Sequence, residues 1–153
     1  MYFQRAVTAE DDAFLFGLYA STRREELAQW GWEKEQQLKF LRMQFQCQSR
    51  SYQMQYPNLE TKIILTGDAK VGRIITAKNN SEMVLVDISL LPEFYNQGFG
   101  TALLKDLQQK AHTEGIPLRL SVLTNNPAKR LYERMGFKTV ETKETHTIMR
   151  WIK

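Results

Sequence analysis

Residues 83–91, MVLVDISLL, are apolar on both faces except at Asp87 and Ser89, and they lead without a linker through PEFYNQGFG into TALLKDLQQKA, where Leu103, Leu104, Leu107 and Ala111 recur at helical spacing. A strand apolar on both sides belongs in the middle of a sheet. A strand that passes through a short glycine loop straight into an amphipathic helix, one that Gly115 can terminate, is the start of a crossover connection. This one segment commits the chain to a layered α/β domain.

The remainder fits around it. YFQRAV alternates as a short strand does, and Thr8 with Asp11 makes a capping box for a helix carrying Phe14, Leu15, Leu18 and Tyr19 that fades near Ser21. A more polar helix is predicted over about residues 33–52, with Leu38, Leu41 and Phe45 at helical spacing and Tyr56-Pro57-Asn58 as its stop. Strands follow at KIIL and VGRIITA, with turns at Gly67-Asp68 and Asn79-Asn80. Beyond Gly115 come the strand PLRLSV, the short helix PAKRLYERM and a closing hairpin of FKTVET with HTIMRWI. The order is strand, two helices, three strands, helix, strand, helix, two strands. It describes a mixed α/β (α+β) domain, antiparallel early and crossing over after residue 97.

A chain of 153 residues that is 42% hydrophobic can bury one core, so residues 1–153 are expected to be a single domain. The lone Cys47 rules out an intrachain disulfide, and neither a basic-then-apolar leader nor a long apolar run is present; the expected compartment is the cytoplasm, with no membrane partner. The net charge of +4 is spread along the chain. It favours anionic small molecules mildly and is a poor signal for nucleic acid.

A glycine loop at a helix start gathers backbone N–H groups and the positive end of the helix dipole at one place, which suits a phosphate. Two familiar phosphate loops fail on spelling. A P-loop needs a second glycine five residues after the first followed by Lys-Ser/Thr, where Gly98 is followed by Leu103-Leu104-Lys105. A dinucleotide fingerprint needs a third glycine and an acidic residue about 20 positions on, where this chain has LRLSVL. Alone, Gly98-Phe99-Gly100 is equally well explained as turn geometry.

A second segment decides between them. TNNPAKRLYERMGF, residues 124–137, has the spacing Asn125-x-x-Ala128-x-x-Leu131-Tyr132-x-x-x-Gly136-Phe137 behind the Gln97-Gly98-Phe99-Gly100 loop. Together they resemble the GNAT superfamily of acyl-CoA-dependent N-acetyltransferases, closely over about residues 84–137 and loosely over the whole element order. The resemblance implies a mostly antiparallel sheet of about seven strands with four helices, splayed between strands four and five. It implies acetyl-CoA as cosubstrate, with no metal, and transfer of the acetyl group to a primary amine by direct attack in a ternary complex. By the same resemblance the backbone of Leu90 would bond the acetyl or pantetheine group. Gln97, Gly98, Phe99, Gly100 and Thr101 would supply the pyrophosphate loop, and Asn125 and Ala128 would flank the cofactor. The pattern departs from the family at Tyr95, three before Gly98, where Arg or Gln is usual. Lys105, Lys129 and Arg130 are candidates to supply charge to the phosphates, and a solvated helix face accounts for each of them as well.

Acetyl transfer to an amine makes two demands. An amine with pKa near 10.4 is less than about 0.1% neutral at pH 7, so its proton must go somewhere. Asp87, Glu82, Glu33 and His146 are the candidates, and Asp87 stands out because an acid within VLV and IS must be paired, solvated or shifted in pKa. A structural ion pair would explain Asp87 equally well. The departing thiolate also needs a proton, and Tyr132, which matches the family's tyrosine, can supply it.

Residues 21–56 are rich in aromatics, Met and Gln and are expected to face the acceptor. Trp30 and Trp32 either wall an acceptor pocket or plug the helix pair onto the sheet, and Cys47 is expected to be a buried or neutral thiol. The acceptor, an amine-bearing small molecule or peptide, is not named by the sequence, and neither is the oligomeric state, with a homodimer left open. A CoA-binding regulatory domain without catalysis and a basic interaction or nucleic-acid module are the alternatives.

Overall fold

A computed structural model describes residues 2–153. The elements in chain order are β1 (Phe3–Ala6), α1 (Asp12–Ser21), α2 (Arg24–Ala28), α3 (Lys34–Gln55), β2 (Glu60–Thr66), β3 (Ala69–Lys78) and β4 (Met83–Leu90), then α4 (Phe99–Glu114), β5 (Leu118–Leu123), α5 (Ala128–Arg134), β6 (Lys138–Thr142) and β7 (His146–Trp151). Short 3₁₀ turns lie at Ala9–Asp11 and Pro92–Phe94. The strands are hydrogen-bonded in the order β1-β2-β3-β4-β5-β7-β6, which puts the doubly apolar strand β4 in the middle, as its sequence requires.

The sheet is mostly antiparallel, β4 and β5 being the parallel pair that the α4 crossover makes possible. Their ladder runs only from Met83↔Leu118 to Leu85↔Leu120, although β4 continues to Leu90 and β5 to Leu123. The parallel pairing thus stops after three pairs, consistent with the expected splay.

The chain forms two compact units, one of residues up to Ile75 with Ile88–Gln97, the other of Thr76–Asp87 with Gly98–Lys153. In the first, Asp11 starts α1. Its carboxylate accepts the Thr8 backbone N–H at 2.9 Å, both Arg5 guanidinium nitrogens at 2.8 Å and Lys70 Nζ at 3.0 Å, so one buried acid ties β1 and β3 to the head of α1. The bidentate Arg5 contact is the strongest hydrogen-bonding geometry available to a carboxylate. The helices close over Tyr19, Leu27, Leu41 and Phe45, with Phe16 packed against that cluster. In the second unit α4 buries Leu103, Leu104, Leu107 and Ala111, the four positions its periodicity marks, and ends at Gly115 with φ 69°.

Three expectations are corrected. Among the described residues there are five α-helices, not four, because RREELA winds into the short α2 around the buried Leu27. Leu38 lies exposed on α3 while Leu41 and Phe45 go inward. Cys47 is exposed: the inward stripe of α3 runs through 41 and 45 toward the half-buried Gln48 and Tyr52, and position 47 falls off it.

Candidate active site

The loop after β4 is built by its backbone. Phe94 N–H bonds the Leu91 carbonyl at 2.9 Å and Tyr95 N–H the Pro92 carbonyl at 3.1 Å, closing the 3₁₀ turn. The chain then enters the left-handed region twice, at Asn96 (φ 60°) and Gly98 (φ 87°), a conformation asparagine tolerates and glycine adopts without penalty. Gln97 Nε2 donates to the Glu93 carbonyl at 2.7 Å and braces the loop across its width.

Gly98 is the N-cap of α4, so no capping side chain covers the helix start, and the first intrahelical bond is Ala102 N–H to the Gly98 carbonyl at 3.0 Å. No acidic residue sits in that first turn, and a Cβ added to Gly98 would meet nothing within 4 Å. An open concave loop at the positive end of a 16-residue helix fits a pyrophosphate. Thr101, one turn in, is half-buried.

In the second unit the structure brings together the two residues singled out for proton transfer. Tyr132 is half-buried on α5, and its pKa is pushed above the ordinary phenol value first by burial and second by the negative charge of Asp87 on β4. Its backbone is held by the turn that ends α5: the Tyr132 carbonyl accepts Phe137 N–H at 3.0 Å, and Gly136 takes φ 94° with Trp151 packed 3.3 Å from where a Cβ would stand. The Tyr132 ring lies edge-on to Phe137 at 5.8 Å between centroids. The phenol therefore stays protonated at neutral pH.

The other expected residues have varied settings. Leu90, half-buried, is the last residue of β4. Asn125 is exposed, and the capping of α5 falls to Asn126, whose Oδ1 accepts Ala128 N–H at 2.9 Å. Glu82 is held by Arg119, with Nε at 3.1 Å from both carboxylate oxygens, and reads as structural. Glu33 is the exposed N-cap of α3, and His146 Nδ1 shares a 2.7 Å hydrogen bond with Thr145 Oγ1. Trp30 and Trp32, 44% and 39% exposed, stack edge-on with each other and with Phe40 at 5.2–5.6 Å. They form a partly exposed aromatic cluster on Phe40, which packs against the helical core.

Sequence reasoning missed Gly72. It lies in the middle of β3 beside the end of β4, where Leu91 N–H bonds the Val71 carbonyl at 2.8 Å. A Cβ there would run into the Ser89 carbonyl and come within 2.9 Å of Leu90 Cα. Gly72 therefore sets the path of the Leu90 backbone. An isolated glycine inside a strand is the signal that could have found it.

Among the described residues no group of three or more His, Cys, Asp or Glu side chains is placed to hold a metal ion, and no helix is long and apolar enough to cross a membrane.

Residues 32–153 match the family described as "Acetyltransferase (GNAT) domain". Among curated proteins the chain is similar to the [ribosomal protein bS18]-alanine N-acetyltransferase of Haemophilus influenzae, 28% identical over 116 residues, covering 75% of this chain and 77% of that one. Among solved structures it is similar to the PaiA N-acetyltransferase of Thermoplasma acidophilum in complex with coenzyme A, with TM-score 0.73, 19% identity and 100% and 99% of the two chains covered. It is also similar to the Campylobacter jejuni N-acetyltransferase PseH in complex with acetyl coenzyme A, with TM-score 0.61, 11% identity and coverage of 100% and 99%.

Proposed function

This chain belongs to the GNAT acetyltransferase family, and from that premise we propose that residues 1–153 work as one domain that transfers the acetyl group of acetyl-CoA to a primary amine on a small molecule or peptide, by direct attack in a ternary complex. The observation that carries the reading is the uncapped, left-handed Gly98 entry to α4 directly after the central strand. Backbone N–H groups of Gln97, Gly98, Phe99, Gly100 and Thr101 bind the pyrophosphate, so Tyr95 in place of a basic or amide residue removes one contact and leaves the cradle. The Leu90 backbone holds the acetyl or pantetheine end, and Asn125 and Ala128 flank the cosubstrate.

Acetyl-CoA supplies an activated thioester; the protein supplies position and protons. As the N–C bond forms, the amine proton passes to Asp87, directly or through water. As the C–S bond breaks, Tyr132 donates its proton to the sulfur. These two events are coupled by charge. Burial holds the Tyr132 proton more tightly than in an ordinary phenol, which opposes its transfer to the sulfur. Part of what holds the Tyr132 proton is the charge on Asp87. An Asp87 that has just accepted the amine proton no longer exerts that hold, so the first transfer makes Tyr132 a better acid for the second.

The test is direct. Saturating acetyl-CoA raises the melting temperature, because a ligand bound only by the native state must do so, and free thiol is released when an amine panel is added. An unchanged melting temperature overturns the assignment. Binding without thiol release from any amine would select the regulatory reading instead.

A further inference from the structure

In the first unit, Phe14, Gly17, Leu18 and Ser21 form one stripe of α1 that walls a groove of about 540 Å³. Leu91, Pro92 and Glu93, the residues that directly follow Leu90, and Arg24 at the start of α2 complete its lining. The volume is in the range of small-molecule sites. Gly17 is the informative residue. Glycine inside a helix is unfavourable and is usually explained by close packing, yet a Cβ at Gly17 would meet nothing within 4 Å and its backbone shows no positive φ. What its missing side chain provides is open space.

The walls are apolar and carry one charge of each sign. Arg24 and Glu93 are exposed and enter no ion pair among the described residues, while the neighbouring cation, Lys70, 5.5 Å from the Phe14 ring, is already held by Asp11. Ser21 Oγ is likewise engaged, donating to the Leu18 carbonyl at 2.6 Å. A polycation would be repelled by Arg24 and a simple anion by Glu93. A molecule with an ammonium, an apolar body and a carboxylate satisfies both.

We propose that this groove is the acceptor site and that its substrate is a small zwitterionic amine of amino-acid or dipeptide size, its carboxylate on Arg24, its apolar side chain over Phe14 and Gly17, and its amino end on the Leu91–Glu93 side. The inference rests on the acetyltransferase reading above. In the reaction the bound ammonium first gives one proton to solvent and becomes a neutral amine; its nitrogen then gains the acetyl carbon and passes a second proton to the base, while the C–S bond breaks and CoA departs as the thiol with the proton that Tyr132 donates.

Leucine and leucyl-glycine are compared with their C-terminal amides in two measurements: thiol release with acetyl-CoA, and melting-temperature shift in saturating CoA without turnover. The acids are preferred in wild type by both. Arg24→Gln collapses the acid-over-amide ratio by about 10- to 100-fold, the usual worth of a charge-assisted hydrogen bond. Gly17→Leu fills the groove: the melting temperature is equal or higher, the acetyl-CoA shift persists, and the acid-induced shift disappears. Acids and amides that bind equally, or a Gly17→Leu variant that still responds to the acids, overturn the proposal. A lost acetyl-CoA shift in wild type sinks the acetyltransferase reading instead, and the two failures are therefore separable.

Discussion

The glycine loop with the α5 segment, and the helices α1–α3, encode their chemistry in different ways. In the loop the groups we propose to work are main-chain N–H groups, and the sequence marks the region with residues whose backbone is left-handed: Gly98 at φ 87°, Gly136 at φ 94°. In the helices the distinguishing groups are side chains on helix faces, such as Arg24 and the stripe from Phe14 to Ser21, and no backbone constraint announces them. A region that works through its backbone leaves a spelled motif. A region that works through side-chain placement leaves only composition.

The sharpest way to break that comparison is at Gly98. Valine there forces a β-branched residue to φ 87° and puts methyl groups into the open loop, so the acetyl-CoA stabilisation should vanish entirely, while Gly98→Ala should weaken it through strain alone. At a ligand concentration of 100 times Kd the lost stabilisation is about 2.7 kcal/mol, read as the missing rise in melting temperature. A valine variant that keeps the full rise would mean the loop's backbone is not the anion site.

Tyr132 tests the one side chain of the motif region to which we assign chemistry. Tyr132→Phe keeps the ring against Phe137 and should keep acetyl-CoA affinity, yet lower turnover by about 10²–10⁴-fold, the usual loss of a positioned general acid. Turnover within a factor of about three of wild type would assign the proton to another group or to water. Asp87→Asn sharpens the same point. With the opposing charge gone, the Tyr132 pKa should fall toward the ordinary phenol value, seen as tyrosinate absorbance at lower pH than in wild type, and the acid limb of the turnover profile should change. Unaltered titration of Tyr132 and an unaltered profile would return Asp87 to a structural role.

Legibility in the sequence followed the same division. The central position of β4, the Gly115 stop, the Thr8–Asp11 cap and the turns at Gly67 and Asn79 were readable because each is a local rule: apolar run, left-handed glycine, capping pair, Asx turn. α2 was not, because five residues with one buried leucine are too short to show a period. Of the alternatives for Cys47, burial fails because position 47 lies off the 41–45 stripe, which the lack of a nucleophile signal nearby could not reveal. Gly72 sits between these cases. Its need is a backbone need, but the backbone it must admit belongs to β4, far along the chain, so nothing local spells it. Gly72→Ala should cost about 1–3 kcal/mol, as overpacking does, and should also lower activity by displacing the Leu90 backbone. Stability at the wild-type level would show that β4 yields freely there.

The smallest effect is expected from the staple that starts the helical region. Asp11 is buried with Arg5 and Lys70, and the Arg5 guanidinium, then the Thr8 backbone N–H, hold its carboxyl far below the usual carboxylate range against the opposing effect of burial. Because the folded value is the depressed one, the stabilisation is present above the unfolded pKa of about 3.9 and is lost as pH falls below it, where the unfolded chain takes up a proton that the native state refuses. The slope of unfolding free energy against pH below about 4 should therefore include about one proton from this site, and Asp11→Asn should flatten it by that amount. At pH 7 the variant should also be less stable, since Arg5 and Lys70 would face a neutral amide. If the acid slope is the same in both proteins, the carboxyl is not held ionised by its partners. The helical region would then be fastened to β1 and β3 by apolar packing alone, and no staple of the kind legible at Thr8–Asp11 would distinguish its start from the rest of its side-chain-encoded surface.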